Sequence, residues 1–176
     1  MKLNKFAAVL AVTAMALGAI AGAYADDASA PEEGHVVDRQ SFEHYLALFN
    51  QKNPAAFEKY YAPNVRMSNG GLVFNSIPEV EAHYRKIWGA MDEKVNLEEF
   101  LFDGKTLAVQ LLVTFDVPRD AANTPFGPLR KGERFQFHGP IFYKLNDQGK
   151  FTDIKVGYYS FSRTTDGVTH SMGMPH

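Results

Sequence analysis

The sequence predicts an α+β domain in which three amphipathic helices and a short hairpin come first and four long antiparallel strands curl around them. Two observations predict it. Apolar residues recur at helical spacing in three stretches that end by Met91, and from Asn96 to Arg163 they alternate with period two in long runs. Turn-forming residues, among them Asp103-Gly104 and Asn146-Asp147-Gln148-Gly149, separate those runs.

Asp38 can cap a first helix, because Phe42, Tyr45, Leu46 and Phe49 follow at i, i+3, i+4 and i+7 and form one apolar stripe. Asn53-Pro54 opens a short second helix through Phe57, Tyr60 and Tyr61, which Ala62-Pro63-Asn64 ends. Val65 to Ser68 and Leu72 to Phe74 read as strands joined by the turn Asn69-Gly70-Gly71. Ser76 and Glu79 form a capping box for a third helix with Val80, Tyr84, Ile87 and Met91 on its apolar stripe. Strands are expected at Asn96 to Phe102, Thr106 to Val117, Glu133 to Tyr143 and Phe151 to Arg163. Gly139-Pro140 falls inside the third of them, and a proline that cannot donate to the ladder predicts a bulge there.

The two ends read differently. Residues 1–25 have Lys2 and Lys5, an apolar run from Phe6 to Ile20 broken by Thr13, and Ala23-Tyr24-Ala25 before Asp26, the pattern of a secretory signal peptide cut after Ala25. Residues 26–37 read as a flexible lead, residues 38–163 as the domain, and residues 164–176 as a polar tail. With no Cys there is neither a disulfide nor a lipid-bearing thioether, so a soluble periplasmic or secreted protein is expected, free of the membrane once the signal is removed. Removing residues 1–25 of 176 leaves 151, and losing both lysines takes the formal charge from −2 to −4. A mildly acidic chain without a Lys/Arg run offers no footprint for nucleic acid. The 14 Phe, 8 Tyr and 1 Trp supply enough aromatic surface to line a cavity as well as fill a core.

The stretch Phe42-Glu-His-Tyr-Leu-Ala-Leu-Phe-Asn50, with Phe57-Glu-Lys-Tyr-Tyr-Ala-Pro-Asn-Val65 and Asn146-Asp-Gln-Gly-Lys-Phe-Thr-Asp-Ile154, resembles the opening helices and the last hairpin of SnoaL-like proteins in the NTF2-like superfamily. The likeness covers roughly residues 38–163. It implies a cone-shaped fold with a deep, largely apolar pocket, used in that superfamily by steroid isomerases, polyketide cyclases, dehydratases, epoxide hydrolases and non-catalytic binders. It also implies sheet-face pairing into a homodimer. Tyr45 falls where the isomerases keep the oxyanion-binding tyrosine, Asn69 where they keep the base, and Ile141 where they keep a protonated Asp. An amide is no base and isoleucine no donor, so the usual isomerase set is not intact. The stretch Lys155 to Phe161, which corresponds to the cyclases' acid-bearing strand, has no acid.

His138 is the strongest acid-base candidate, since it stands mid-strand among aromatics beside the expected bend, which would aim it into a cavity. Tyr45 is a candidate donor to a carbonyl. Asn69, Met67, Trp88 and Tyr158 are candidate ligand-binding residues of the pocket wall, although turn chemistry alone also explains Asn69 and core packing the others. His170 and His176 bracket two methionines in the tail, but their spacing matches no rigid metal site, and no metal or other cofactor is expected. Two readings stay open: a pocket protein for a small hydrophobic, carbonyl-bearing molecule, with or without acid-base turnover, and a non-catalytic dimerisation or partner-binding module.

Overall fold

A computed structural model describes residues 34–173, so the signal-peptide reading lies outside the described residues. Helix α1 (Arg39–Asn50) starts at Asp38, whose carboxylate accepts from the Ser41 amide at 2.8 Å while the Ser41 hydroxyl answers the Asp38 amide. Its buried stripe is the predicted one, Phe42, Tyr45, Leu46 and Phe49. Helix α2 (Ala55–Tyr60) runs straight into β1 (Tyr61–Asn69). The strand expected from Val65 therefore begins earlier, because Tyr61 already pairs with Phe151. Strand β2 (Leu72–Phe74) returns antiparallel through Gly70 at φ +56°, and α3 (Ile77–Ala90) follows with Ser76 as its cap.

The remaining strands are β3 (Asp92–Phe102), β4 (Thr106–Asp116), β5 (Arg134–Leu145), β6 (Phe151–Val156), β7 (Ser160–Thr165) and β8 (Val168–Ser171). Strand β3 starts four residues before the sequence expectation, since its ladder with β4 extends to Asp92 opposite Asp116. The sheet runs β2-β1-β6-β5-β4-β3, with β7 beside β5 and β8 beside β7. It is antiparallel except where β1 lies parallel to β6; the long connection between those two imposes no hairpin direction. The architecture is an α+β cone, an open curved sheet whose inner face packs on the helices. Phe42, Tyr45, Tyr143 and Phe151 meet there, with Tyr45 edge-on to Phe151 at 5.1 Å.

Four sequence expectations are corrected. Strand β5 passes through Gly139-Pro140 with an unbroken ladder to β4, so no bulge forms in it. The break falls on the facing chain: the single strand expected over Phe151 to Arg163 is two, β6 and β7, separated at Gly157-Tyr158-Tyr159. Strand β5 pairs with β7 through His138 and with β6 from Ile141, so the proline sits where the partner changes and needs no donor. The polar tail is also structured, because β8 pairs with β7 through Ser171. Finally, the described end of the lead, residues 34–37, is anchored: Val36 is buried and its amide donates to the Gly149 carbonyl at 2.9 Å.

At the partner change the backbones touch. A Cβ on Gly139 would collide with the Gly157 carbonyl oxygen and lie 2.9 Å from Tyr158 Cα. Gly139→Ala should therefore destabilise the fold by about 2 kcal/mol or more, as overpacking against rigid backbone does, whereas Gly71→Ala, which meets nothing within 4 Å, should change stability by well under half of that. Paired denaturant melts of the two variants check this, and equal midpoints would refute the close approach.

Candidate functional site

The helices and the inner face of the sheet leave a cavity of about 500 Å³. Phe115 of β4, Phe135 and Phe137 of β5, Phe161 of β7 and Phe126 of the β4–β5 loop make it mostly apolar. Phe126 closes a cluster with Phe115, Phe135 and Phe161 at centroid distances of 5.1, 5.2 and 5.8 Å. Five polar side chains line it: Asn69, His83, Tyr84, Glu93 and Tyr158.

Glu93 is the outlier among them. Alternation along β3 turns Glu93 and Val95 inward while Asp92 and Lys94 face water, so a carboxyl is carried inside at 8% exposure. Trp88, in the last turn of α3, stacks on Phe57 with ring planes 18° apart, and that packing presents its indole Nε1, which donates to Glu93 Oε2 at 2.9 Å. Lys52 is held nearby by Asp92 at 2.8 Å. Burial pushes the Glu93 carboxyl up to about 8, against the opposing pull of the Trp88 hydrogen bond and the Lys52 charge. Near pH 7 it is mostly a neutral acid facing an apolar cavity, with Oε1 free of any protein donor among the described residues.

The other polar groups are arranged around it. Tyr84 lies between the main cavity and a smaller inner void of about 50 Å³, which Glu93 also lines. Burial holds the Tyr84 phenol well above its ordinary range, so it is a hydrogen-bond donor at any physiological pH. His83 packs its ring on Phe74 at 4.8 Å, and burial followed by the Lys86 charge lowers its pKa, leaving a neutral imidazole at the cavity wall. The Tyr158 hydroxyl donates to Asn69 Oδ1, which joins the β6–β7 break to the end of β1.

Of the residues expected from the sequence, Asn69 and Tyr158 line the cavity together, as does Ile141. Tyr45 and Met67 line only the inner void, where the Tyr45 and Tyr61 hydroxyls are 3.1 Å apart. Trp88 sits behind Glu93 as its donor. His138 does not enter the cavity. Because β5 has no bulge, strict alternation puts Phe137 inside and His138 on the outer face, with Nε2 2.6 Å from Glu98 Oε2 and the ring 5.7 Å from Tyr159. The sequence reading missed Glu93, His83 and Tyr84. It began the strand at Asn96; extending the alternation back through Val95 would have turned Glu93 inward. His170 lies on β8 and His176 outside the described residues, among which no group of three or more His, Asp or Glu could hold a metal ion.

A curved sheet wrapped on three helices around an apolar cavity defines an NTF2-like cone. The chain belongs to the SnoaL-like family, whose domain model matches residues 42–154. No curated protein matches it. Solved structures with the same fold include TsrD from Streptomyces laurentii, at 19% identity over 70% of this chain and 92% of that one with a TM-score of 0.58. A SnoaL-like polyketide cyclase from Agrobacterium tumefaciens is 20% identical over 66% and 86%, TM-score 0.52. An LEH-like epoxide hydrolase from M. tuberculosis is 12% identical over 68% and 80%, TM-score 0.53. At these identities the likeness is one of fold.

Glu93 has a signature in solution. Its folded pKa lies above the unfolded value, so the folded state holds a proton that the unfolded state has lost between about pH 4.5 and about 8, and stability falls as pH rises through that window. The loss is on the order of a few kcal/mol. Glu93→Gln, which keeps the acceptor for Trp88 and cannot ionise, should match wild type in Tm near pH 4.5 and exceed it by roughly 5 to 15 °C near pH 8.5. A constant difference across that range would show that the carboxyl is not buried as described.

Proposed function

We propose that the chain is an exported pocket protein that takes up a small hydrophobic, carbonyl-bearing molecule and moves a proton on it through Glu93. The observation that carries this reading is the single carboxyl held mostly protonated at the wall of an apolar cavity of about 500 Å³. An apolar wall selects the ligand body. Glu93 and Tyr84 supply the donors a carbonyl oxygen would accept from, and the carboxylate form of Glu93 is a stronger base than an exposed glutamate. Proton removal beside a carbonyl is the step that isomerase, cyclase and dehydratase chemistries share. The signal-peptide reading of residues 1–25 supports export to the periplasm or beyond, with no cofactor required.

A second reading has its own support. Leu101, Ala108 and Phe142 form a cross-strand apolar row on the outer face of β3, β4 and β5, with Leu101 70% and Phe142 49% exposed. That row suits pairing of two copies or docking of another protein, with the cavity idle.

The test is a thermal-shift screen of the purified protein against hydrophobic ketones, aromatic polyketide-like compounds and terpenoids. A ligand at a hundredfold excess over Kd should stabilise the fold by about 2.7 kcal/mol. For a ketone that binds, wild type in D2O at subsaturating ketone should exchange the protons beside the carbonyl, faster as pH rises to about 8 and level above it. Glu93→Gln should bind the same ketone and lose exchange by roughly 100-fold or more. Binding without exchange would leave a carrier rather than a catalyst. Absence of any stabilisation would sink the pocket reading and favour the outer face.

A further inference from the structure

A second polar site shares no lining residue with the cavity and lies across the Phe135 ring from it. It is a cleft between the β4–β5 loop and the β7–β8 hairpin, lined by Pro128, Arg130, Glu133, Arg163, Thr165 and His170. At its floor is Arg163, whose guanidinium is fixed on several sides. Nη2 donates to both oxygens of Glu133 at 2.7 Å and reaches the Pro128 carbonyl at 3.3 Å, and the group lies over the Phe135 ring at 5.2 Å.

Glu133 is buried, and every acceptor position it uses is taken within the protein. Besides Arg163, it accepts from the Arg130 amide at 3.0 Å and the Thr165 hydroxyl at 3.2 Å. Burial alone would raise this carboxyl, but these donors outweigh it and hold it below the ordinary range, so it is a full anion neutralised by Arg163. Arg163 still has donors to spare. The one open to a ligand is Nη1, which has no protein partner among the described residues and is not enclosed; Nε also lacks an acceptor but is buried out of reach, the sole such side-chain atom among those residues. Above it, the exposed Arg130 guanidinium has no ion pair among the described residues. Two guanidiniums and one carboxylate leave a net positive charge, with the His170 imidazole and the Thr165 hydroxyl beside it.

We propose that this cleft binds a small oxyanion, a phosphate or a carboxylate, bridged between Arg130 and Arg163. A guanidinium already locked in place by a carboxylate and an aromatic ring loses little freedom on binding, and its planar donors match the oxygens of both anion types. Arg130 adds the unpaired charge that makes the cleft attractive to an anion. His170 contributes a further ring nitrogen at the rim.

Isothermal titration of the purified protein with inorganic phosphate and, separately, with succinate tests this, at ionic strength matched with potassium chloride. Either anion, or both, should bind wild type. Arg130→Gln should weaken binding at least tenfold, and Lys144→Gln, which removes the same charge from β5 elsewhere, less than twofold. All three proteins should melt together without added anion, since Arg130 and Lys144 are exposed. Phosphate alone would mark a phosphate-type ligand, and succinate alone a carboxylate. No heat beyond the chloride control, or equal affinity in Arg130→Gln and wild type, overturns the proposal.

Discussion

The close passage of Gly139 against Gly157 is the constraint on which the rest of this structure depends. Two backbones approach there more tightly than any side chain would allow, and Gly157 donates to the Pro140 carbonyl at 2.9 Å. On one side β5 is paired with β6, on the other with β7. The change of partner swings the last hairpin away from the line of β6, and the chain that crosses the gap, Gly157 to Tyr159, drops Tyr158 toward Asn69 and the cavity. A continuous β6–β7 strand would have kept β5 fully paired on one neighbour and brought no hairpin round to place Phe161 and Met172 on the cavity wall.

The cavity in turn decides the chemistry of Glu93. A carboxyl at the start of a strand ordinarily stays solvated and ionised. Here the strand begins immediately after α3, with only Met91 between, so the pleat that buries Val95 buries Glu93 as well. The sequence compensates only in part: one indole donor and one lysine at the edge are weaker than the desolvation they oppose. Glu133 shows the contrast within the same molecule. Its surface is as little exposed, yet three donor groups, one of them the charged Arg163 guanidinium, make it an anion, whereas Glu93 has one and keeps its proton. The protonation state is set by the balance of desolvation against donors and nearby charge, and only at Glu133 do the donors and the Arg163 charge win.

Those same relations explain what was legible in the sequence. The helices could be read because capping residues and apolar spacing are local: Asp38 and Ser76 cap where expected, and the α1 stripe is buried residue for residue. The Phe42 and Phe151 neighbourhoods that carried the family resemblance proved to be core, which is why they fixed the fold and left the reaction open. His138 was misplaced because a proline suggested a bulge, and a bulge reverses every side chain beyond it. Whether Pro140 distorts β5 depends on which strand faces it, a fact absent from local sequence. The β8 pairing and the inward turn of Glu93, by contrast, were local signals passed over: Asp166-Gly167 is a two-residue turn between β7 and β8, and alternation back from Val95 turns Glu93 inward.

A ligand in this cavity would deepen the effect that keeps Glu93 protonated. The carboxyl already sits in a poor dielectric, and an apolar body filling about 500 Å³ would remove most of the remaining water from Oε1. That raises the cost of the anion further, unless the ligand itself brings a polar group. A carbonyl oxygen does so selectively, because it accepts from the neutral acid and gives nothing to the carboxylate. Binding of a carbonyl compound and protonation of Glu93 are therefore linked, each strengthening the other. A ligand that carries a donor or a cation instead would favour the carboxylate and release the proton. The pH dependence of affinity thus reads the ligand's chemistry from the protein's side, through the single carboxyl on the cavity wall.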